Sequence, residues 1–234
     1  MAVFNVDSGL CVAVARGDKS LIVGVSFRDE ISLATAGVKH LKFWTLGKGL
    51  TSKGALWGKH PDRDLACVVH HGDLTLTGTA KGSLLVWKGN SMSKNKPLHG
   101  GVLDAVCVRP TAIFTGGRDK VINVLDAKNM EKLFAISMSG DRFNSLCGEP
   151  RAIDLDENES KLAVGTFGGE VFEIPIHIPH RRSDAPSVIT QGHYAPKTKD
   201  TNEVWGLCAR AGTDQFITVG EDATLRVWSA QEHK

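Results

Sequence analysis

Long apolar runs are missing from this chain. None approaches the ~20 residues that a membrane-spanning helix needs, and no membrane partner is expected. The opening residues MAVFNVDSGL carry no basic region followed by an apolar core, so no secretory signal is visible. Paired cysteines are missing too. The five cysteines, Cys11, Cys67, Cys107, Cys147 and Cys208, are an odd number with no C-x-x-C among them, unlike the dense disulfide frameworks of short secreted domains. Reduced thiols in a cytosolic protein are the expectation, and the formal glycosylation sequon Asn158-Glu159-Ser160 reads as chance there. Charge of one sign is also lacking. A formal net charge of +2 gives no reason to expect nucleic acid, so an electrostatic partner must meet a local patch.

Motifs that carry chemistry are equally scarce. There is no G-x-x-x-x-G-K-[ST] phosphate loop and no G-x-G-x-x-G after a strand. Cys67, His70 and His71 lie close together, but a strand sends neighbouring side chains to opposite faces, which makes a poor zinc site. Neither a metal nor a cofactor is expected.

What the chain does have is length, alternation and turns. Its 234 residues, 41% of them hydrophobic, can bury a substantial core as one large domain or two small ones. Period-two alternation, β-branched residues and Gly or Asp clusters indicate strands and tight turns, and the 25 glycines suit an all-β chain. Helical spacing is hard to find.

An internal repeat organises the strands. The ending LKFWT (41–45) recurs as LLVWK (84–88), INVLD (122–126), VFEIP (171–175) and LRVWS (225–229). Its key residues Trp44, Trp87, Leu125, Ile174 and Trp228 are separated by 43, 38, 49 and 54 residues. Ten residues before each comes a small residue: Ala34, Thr77, Thr115, Val164 and Thr218. A tight turn lies between, and an apolar segment lies upstream. The unit is an apolar strand, turn, strand, tight turn, strand and a variable outer segment. Such a sheet cannot bury both faces alone, and stacking sheets around an axis is the propeller solution. In that arrangement Trp44 closes a third strand and packs between blades. Cys67, Cys107 and Cys208 fall in corresponding upstream strands, where a small thiol is core filler.

His193, Thr218 and Asp222, and likewise His99, Thr115 and Asp119, supply the residue types of a hydrolase triad. Gly192-His193, Asp222 and Trp228-Ser229 instead resemble the WD40 repeat signature. In that family these side chains form a buried hydrogen-bonded staple. A buried imidazole must satisfy both nitrogens, whereas a nucleophile needs an accessible cleft and an oxyanion site. The expected blade network is therefore His99, Thr115, Asp119, His193, Thr218, Asp222, Trp228, Trp44 and Trp87, and no enzyme is expected. The chain departs from the family at Leu125, where Trp is usual, and at Val38, Lys81 and Gly168, where Asp is usual. Those blades should lack the full staple. The insertion YAPKTKDTN follows His193.

The first repeat is more specific. GVKHLKFWTL followed by LTSKGALWGK resembles the echinoderm microtubule-associated protein-like (EMAP-like) family. VWKGN, GGRDK, VFEI, ITQGH and VWGL follow in the family's order. The resemblance implies an all-β fold of WD40-type β-propeller blades, about five of them as an arc from a larger propeller. Blades are expected near 18–60, 61–98, 99–139, 148–191 and 192–234. Residues 1–17 would give the outer strand of a preceding blade, or of a closing one if the ring has five blades. The family resemblance also implies a cytoplasmic, cytoskeletal scaffold on microtubules, in cilium, axoneme or spindle. Its partners would be tubulin and other proteins, with oligomerisation through parts outside this chain. Basic segments are the candidate contacts: Lys48, Lys53, Lys59, Arg63, Lys88, Lys94, Lys96, Arg181 and Arg182. Lysines on propeller loops are commonly plain solvated surface, and Trp57 can plug a blade edge instead of forming a contact. The alternative is a general WD40 adaptor that does not touch tubulin.

Overall fold

Each alternating segment becomes a strand, and each Gly or Asp cluster reverses the chain. The computed structural model describes residues 1–139, 148–178, 180–190, 193 and 203–231, and these contain strands and turns without a helix. Cys147, Gly192 and the insertion YAPKTKDTN lie outside the described residues.

The chain divides into two compact units, Met1–Leu98 and His99–Lys234. The first unit opens with a two-stranded sheet of β1 (Ala2–Phe4) and β2 (Cys11–Val14). The segment read from the sequence as an outer blade strand thus pairs with the strand just before it, Ala2 opposite Val14. Two four-stranded meanders follow. Blade 1 is β3 (Ile22–Phe27), β4 (Ser32–Gly37), β5 (His40–Leu46) and β6 (Leu50–Gly54). Blade 2 is β7 (Leu65–His71), β8 (Leu74–Thr79), β9 (Ser83–Lys88) and β10 (Ser91–Pro97).

The second unit holds three more blades. Blade 3 is β11 (Leu103–Val108), β12 (Ala112–Gly117), β13 (Val121–Asp126) and β14 (Lys132–Ser137). Blade 4 is β15 (Pro150–Leu155), β16 (Lys161–Thr166) and β17 (Val171–His177), with the short β18 (Arg182–Ser183) and β19 (Ser187–Thr190) both paired to β17. Blade 5 is β20 (Val204–Ala209), β21 (Gln215–Gly220) and β22 (Leu225–Ser229), with no fourth strand among the described residues.

Two devices recur in all five blades. The turn between the second and third strands carries one left-handed residue: Lys39, Gly82, Lys120, Gly169 or Ala223. Only two of these are glycine, so the hairpin geometry overrides local preference at the others. The innermost strand carries a β-bulge near its start, at Val23, Ala66, Asp104, Arg151 and Trp205. A bulge leaves one residue outside the ladder and turns its side chain in a new direction.

Within each unit, neighbouring sheets bury their faces on one another. Ala34, Ala36 and Leu41 of blade 1 meet Val68, Leu85 and Trp87 of blade 2. Phe114 and Val124 of blade 3 meet Val164, Phe172 and Ile174 of blade 4, and Val171 and Ile189 of blade 4 meet Phe216 of blade 5. Burial of each such large side chain is worth about 1.5–3 kcal/mol. The sheets approach so closely that a Cβ added at Gly116 would lie 2.7 Å from Ile153 Cδ1 and 2.8 Å from Pro150 Cβ.

One carboxylate ties the second unit together. Asp154, on β15, accepts from the Arg109 guanidinium and, at 3.5 Å, from the Cys107 thiol of blade 3. Its other oxygen accepts from the Ala209 backbone N–H of blade 5 at 2.8 Å. Burial, and then the nearby Asp154 charge, push the Cys107 thiol up to about 12, so it stays protonated and inert. Cys208 holds the same register position two blades later, and it departs from the core-filler reading: it is exposed. Asp154→Ala should cost about 3 kcal/mol, because it removes the one carboxylate shared by the Arg109 guanidinium and the Ala209 backbone donor. Urea denaturation followed by circular dichroism checks this, and a loss within about 0.5 kcal/mol would show that the tie carries no weight.

Candidate functional site

The triad residues come together in blade 5, and their bonding direction can be deduced. An indole N–H can only donate, so Trp228 Nε1 gives its proton to Thr218 Oγ1 at 2.7 Å. The Thr218 hydroxyl proton is then directed to His193 Nε2 at 2.6 Å. That leaves the imidazole proton on Nδ1, donated to Asp222 Oδ1 at 2.8 Å. The chain runs from tryptophan through threonine and histidine to aspartate. Thr218 is 0% exposed, so its oxygen cannot meet an external substrate. Gly220 makes room for the ring, since a Cβ there would lie 2.5 Å from His193 Nδ1. Burial alone would raise the Asp222 carboxyl. Bonds from His193 and Thr224 outweigh burial and hold it down to about 2.

Blade 3 builds the same centre without tryptophan. His99 bonds Asp119 and Thr115, both at 2.9 Å. Leu125 supplies no N–H, and Asn123 on the same strand brings its amide to 3.2 Å from His99 Nε2. Blade 1 departs from the expectation that it lacks a full staple. Trp44 Nε1 donates to Thr35 Oγ1 at 2.8 Å, Thr35 meets His40 Nε2 at 2.8 Å, and His40 Nδ1 faces Asp18 at 3.2 Å. The order of histidine and aspartate along the chain is reversed relative to blades 3 and 5. A bond from the Ser20 N–H, then Lys42 and His40, holds the Asp18 carboxyl well below the usual carboxylate range. The spacing rule had picked Ala34 because the Val38-Lys39 turn is one residue shorter than its counterparts, which moves the hydroxyl to Thr35.

Blade 2 keeps only the first link, Trp87 Nε1 to Thr77 Oγ1 at 3.0 Å, while Asp62 accepts from the Lys81 N–H in the turn at 3.2 Å. Trp57 packs edge-on against Trp87, with ring centroids 5.0 Å apart, and so plugs the boundary between blades 1 and 2. Blade 4 has no tryptophan in this position and buries a Thr166–Glu170 pair instead.

The basic candidates sit elsewhere. Lys48, Lys53, Lys59, Arg63, Lys88 and Lys94 are exposed on turns and outer strands of the first unit, with Lys96 half-buried. A bridge between Leu56 and Ser91, with Asn90 bonding Gly54 O at 3.1 Å, brings the stretches holding Lys53 and Lys88 to one junction. Arg181 and Arg182 are exposed in the second unit.

No family model matches the chain. It is 29% identical over 214 residues to human echinoderm microtubule-associated protein-like 2, covering 88% of this chain and 30% of that protein. It is 27% identical over 265 residues to human EMAP-like 3, covering 100% of this chain and 27% of that protein, and 29% identical to mouse EMAP-like 1 over 88% of this chain. Its curated homologues are EMAP-like proteins. The chain spans under a third of their length. Among solved structures it resembles the WD40 propeller domain of Doa1, with a TM-score of 0.71 at 12% identity over 95% of this chain and 69% of that one. A computationally designed protein, Ika8, gives 0.68 at 16% identity over 97% of this chain and 64% of that one. The EMAP-like resemblance read from GVKHLKFWTL and the WD40-type blades are thus borne out.

The aspartate ends of the staples are expected to govern the acid stability of this chain. The folded carboxyl of Asp222 ionises below its unfolded value of ~3.9. Its contribution is present above about pH 4 and is lost as pH falls through about 2. Asp119 is shifted in the same direction. Asp222→Asn should lower stability at neutral pH and flatten the loss below pH 4. Urea midpoints between pH 6 and pH 2 test this; an acid limb unchanged by the substitution would refute the assignment.

Proposed function

We propose that this chain is the propeller portion of a non-catalytic microtubule-associated scaffold, which engages tubulin through Lys48, Lys53, Lys59, Arg63, Lys88, Lys94, Lys96, Arg181 and Arg182. The observation that carries the reading is the grouping of exposed lysines on the outer strands and turns of the first unit, where acids are few. The names of the EMAP-like homologues support it. Microtubule surfaces and tubulin tails are acidic, so such lysines speed encounter and make binding sensitive to salt. The blade network supports the non-catalytic part, since its hydroxyls are spent on cohesion and closed to solvent. The setting that follows is the microtubule cytoskeleton.

Co-sedimentation with stabilised microtubules tests the reading. Bound fraction should fall steeply between about 50 and about 200 mM salt as screening shortens the reach of the lysines. Reversing charge at Lys48, Lys53 and Lys59 together should weaken binding at least about fivefold, a loss of about 1 kcal/mol. Binding unchanged by that triple substitution rules out the patch. A pull-down that recovers other proteins without tubulin favours the adaptor alternative.

A further inference from the structure

Inside each unit the seams between blades are built from the same strand positions. Phe114, Ile122 and Val124 of blade 3 are 0% exposed because blade 4 covers them with residues that include Ile153 and Leu155. Strand pairing locates the same positions in the terminal blades. Ile217, Leu225 and Val227 of blade 5 stand relative to Thr218 where Phe114, Ile122 and Val124 stand relative to Thr115. Val25 and Phe27 of blade 1 stand relative to Thr35 where Ile153 and Leu155 stand relative to Val164. In these two blades the positions face water. Ile217, Leu225 and Val227 are 39%, 62% and 61% exposed, and Val25 and Phe27 are 59% and 52% exposed. The innermost strands repeat the pattern. Val68, the blade 2 counterpart of Val25, fits against Gly24 of blade 1, where an added Cβ would lie 3.2 Å from its Cγ1. Gly206 holds the Gly24 position in blade 5, and an added Cβ there would meet only Val219 of its own blade.

We infer that these two faces are the halves of one more seam, closed between two copies of this chain, with the blade 1 face of one copy packed on the blade 5 face of the other. Grouped aliphatic and aromatic side chains in water mark an interaction surface. None of the five carries a charge or a hydrogen-bonding group, so the matching surface must be apolar. This chain carries that surface itself: its own seams join the counterpart of each face to the counterpart of the other. Val25 of the incoming copy would sit against Gly206 as Val68 sits against Gly24. The two faces differ, so the pairing is heterologous. Every joined pair keeps one free face of each kind, and assembly continues past the dimer. The lysine patch lies on other residues and would be multiplied along such an assembly.

Sedimentation velocity of the whole chain, from about 1 to about 100 µM, tests the inference. Species heavier than the monomer should grow with concentration. Val227→Glu blocks the blade 5 face and Phe27→Glu the blade 1 face, and each variant alone should stay monomeric. Mixed, the two should form a one-to-one dimer and stop there, because one keeps its blade 1 face and the other its blade 5 face. Both residues are exposed, so thermal melts should match that of the parent chain. Leu225→Glu and Val25→Glu repeat the test on each face. Charge reversal at Lys48, Lys53 and Lys59 should leave assembly intact, so failure here and failure of the tubulin patch are distinguishable. A parent chain that is monomeric throughout overturns the inference. So does a blocked variant that still self-associates, a mixture that stays monomeric, or assembly lost on reversal of the lysines.

Discussion

A threonine hydroxyl buried in the middle of a sheet is the constraint from which most of this structure follows. Thr35, Thr77, Thr115 and Thr218 are none of them more than 1% exposed. Leaving such a group without partners costs on the order of 1–3 kcal/mol, a sizeable part of a domain's net stability. In blades 1, 2 and 5 a tryptophan one strand away supplies the donor, and that requirement fixes the register of the second and third strands. Where histidine takes the hydroxyl proton, its other nitrogen must find an acid, which pins the loop before the blade to the turn within it. A local hydrogen-bonding need thus becomes a long-range restraint.

Blade 1 shows that the chemistry matters more than the order of residues along the chain. The acid is Asp18, before the first strand, and the base is His40, after the turn. Blades 3 and 5 use the opposite arrangement. Both satisfy the imidazole with an acid on one side and a hydroxyl on the other. Neither exposes that hydroxyl, so the residue types of a triad here serve cohesion.

The blades were readable because period-two alternation and a recurring tryptophan ending are properties of the chain alone. The complete staple of blade 5 was readable for the same reason: its parts stand at the spacing that a three-residue turn demands. Thr35 was hidden by a turn one residue shorter, which is a feature of pairing and not of composition. Asn123 was hidden because it approaches the imidazole, and not the threonine hydroxyl, from a different position on the strand than Leu125. Asp154 gave no signal, since a lone acid in an apolar strand shows its partners only when three sheets meet around it. Cys208 was misjudged because position along a strand does not by itself decide whether a thiol is covered.

The bulges explain where such a cohesive structure can hold variety. A residue in the ladder must satisfy its backbone bonds and fit the neighbouring sheet, as Gly116 does against Ile153 and Pro150. A bulged residue is excused from strand pairing, so its side chain can change with little effect on the register around it. The five positions bear this out in their chemistry, running from Val23 and Ala66 in the first unit to Asp104, Arg151 and Trp205 in the second. The repeat that makes the blades alike thus also supplies, once per blade, a position at which they are free to differ.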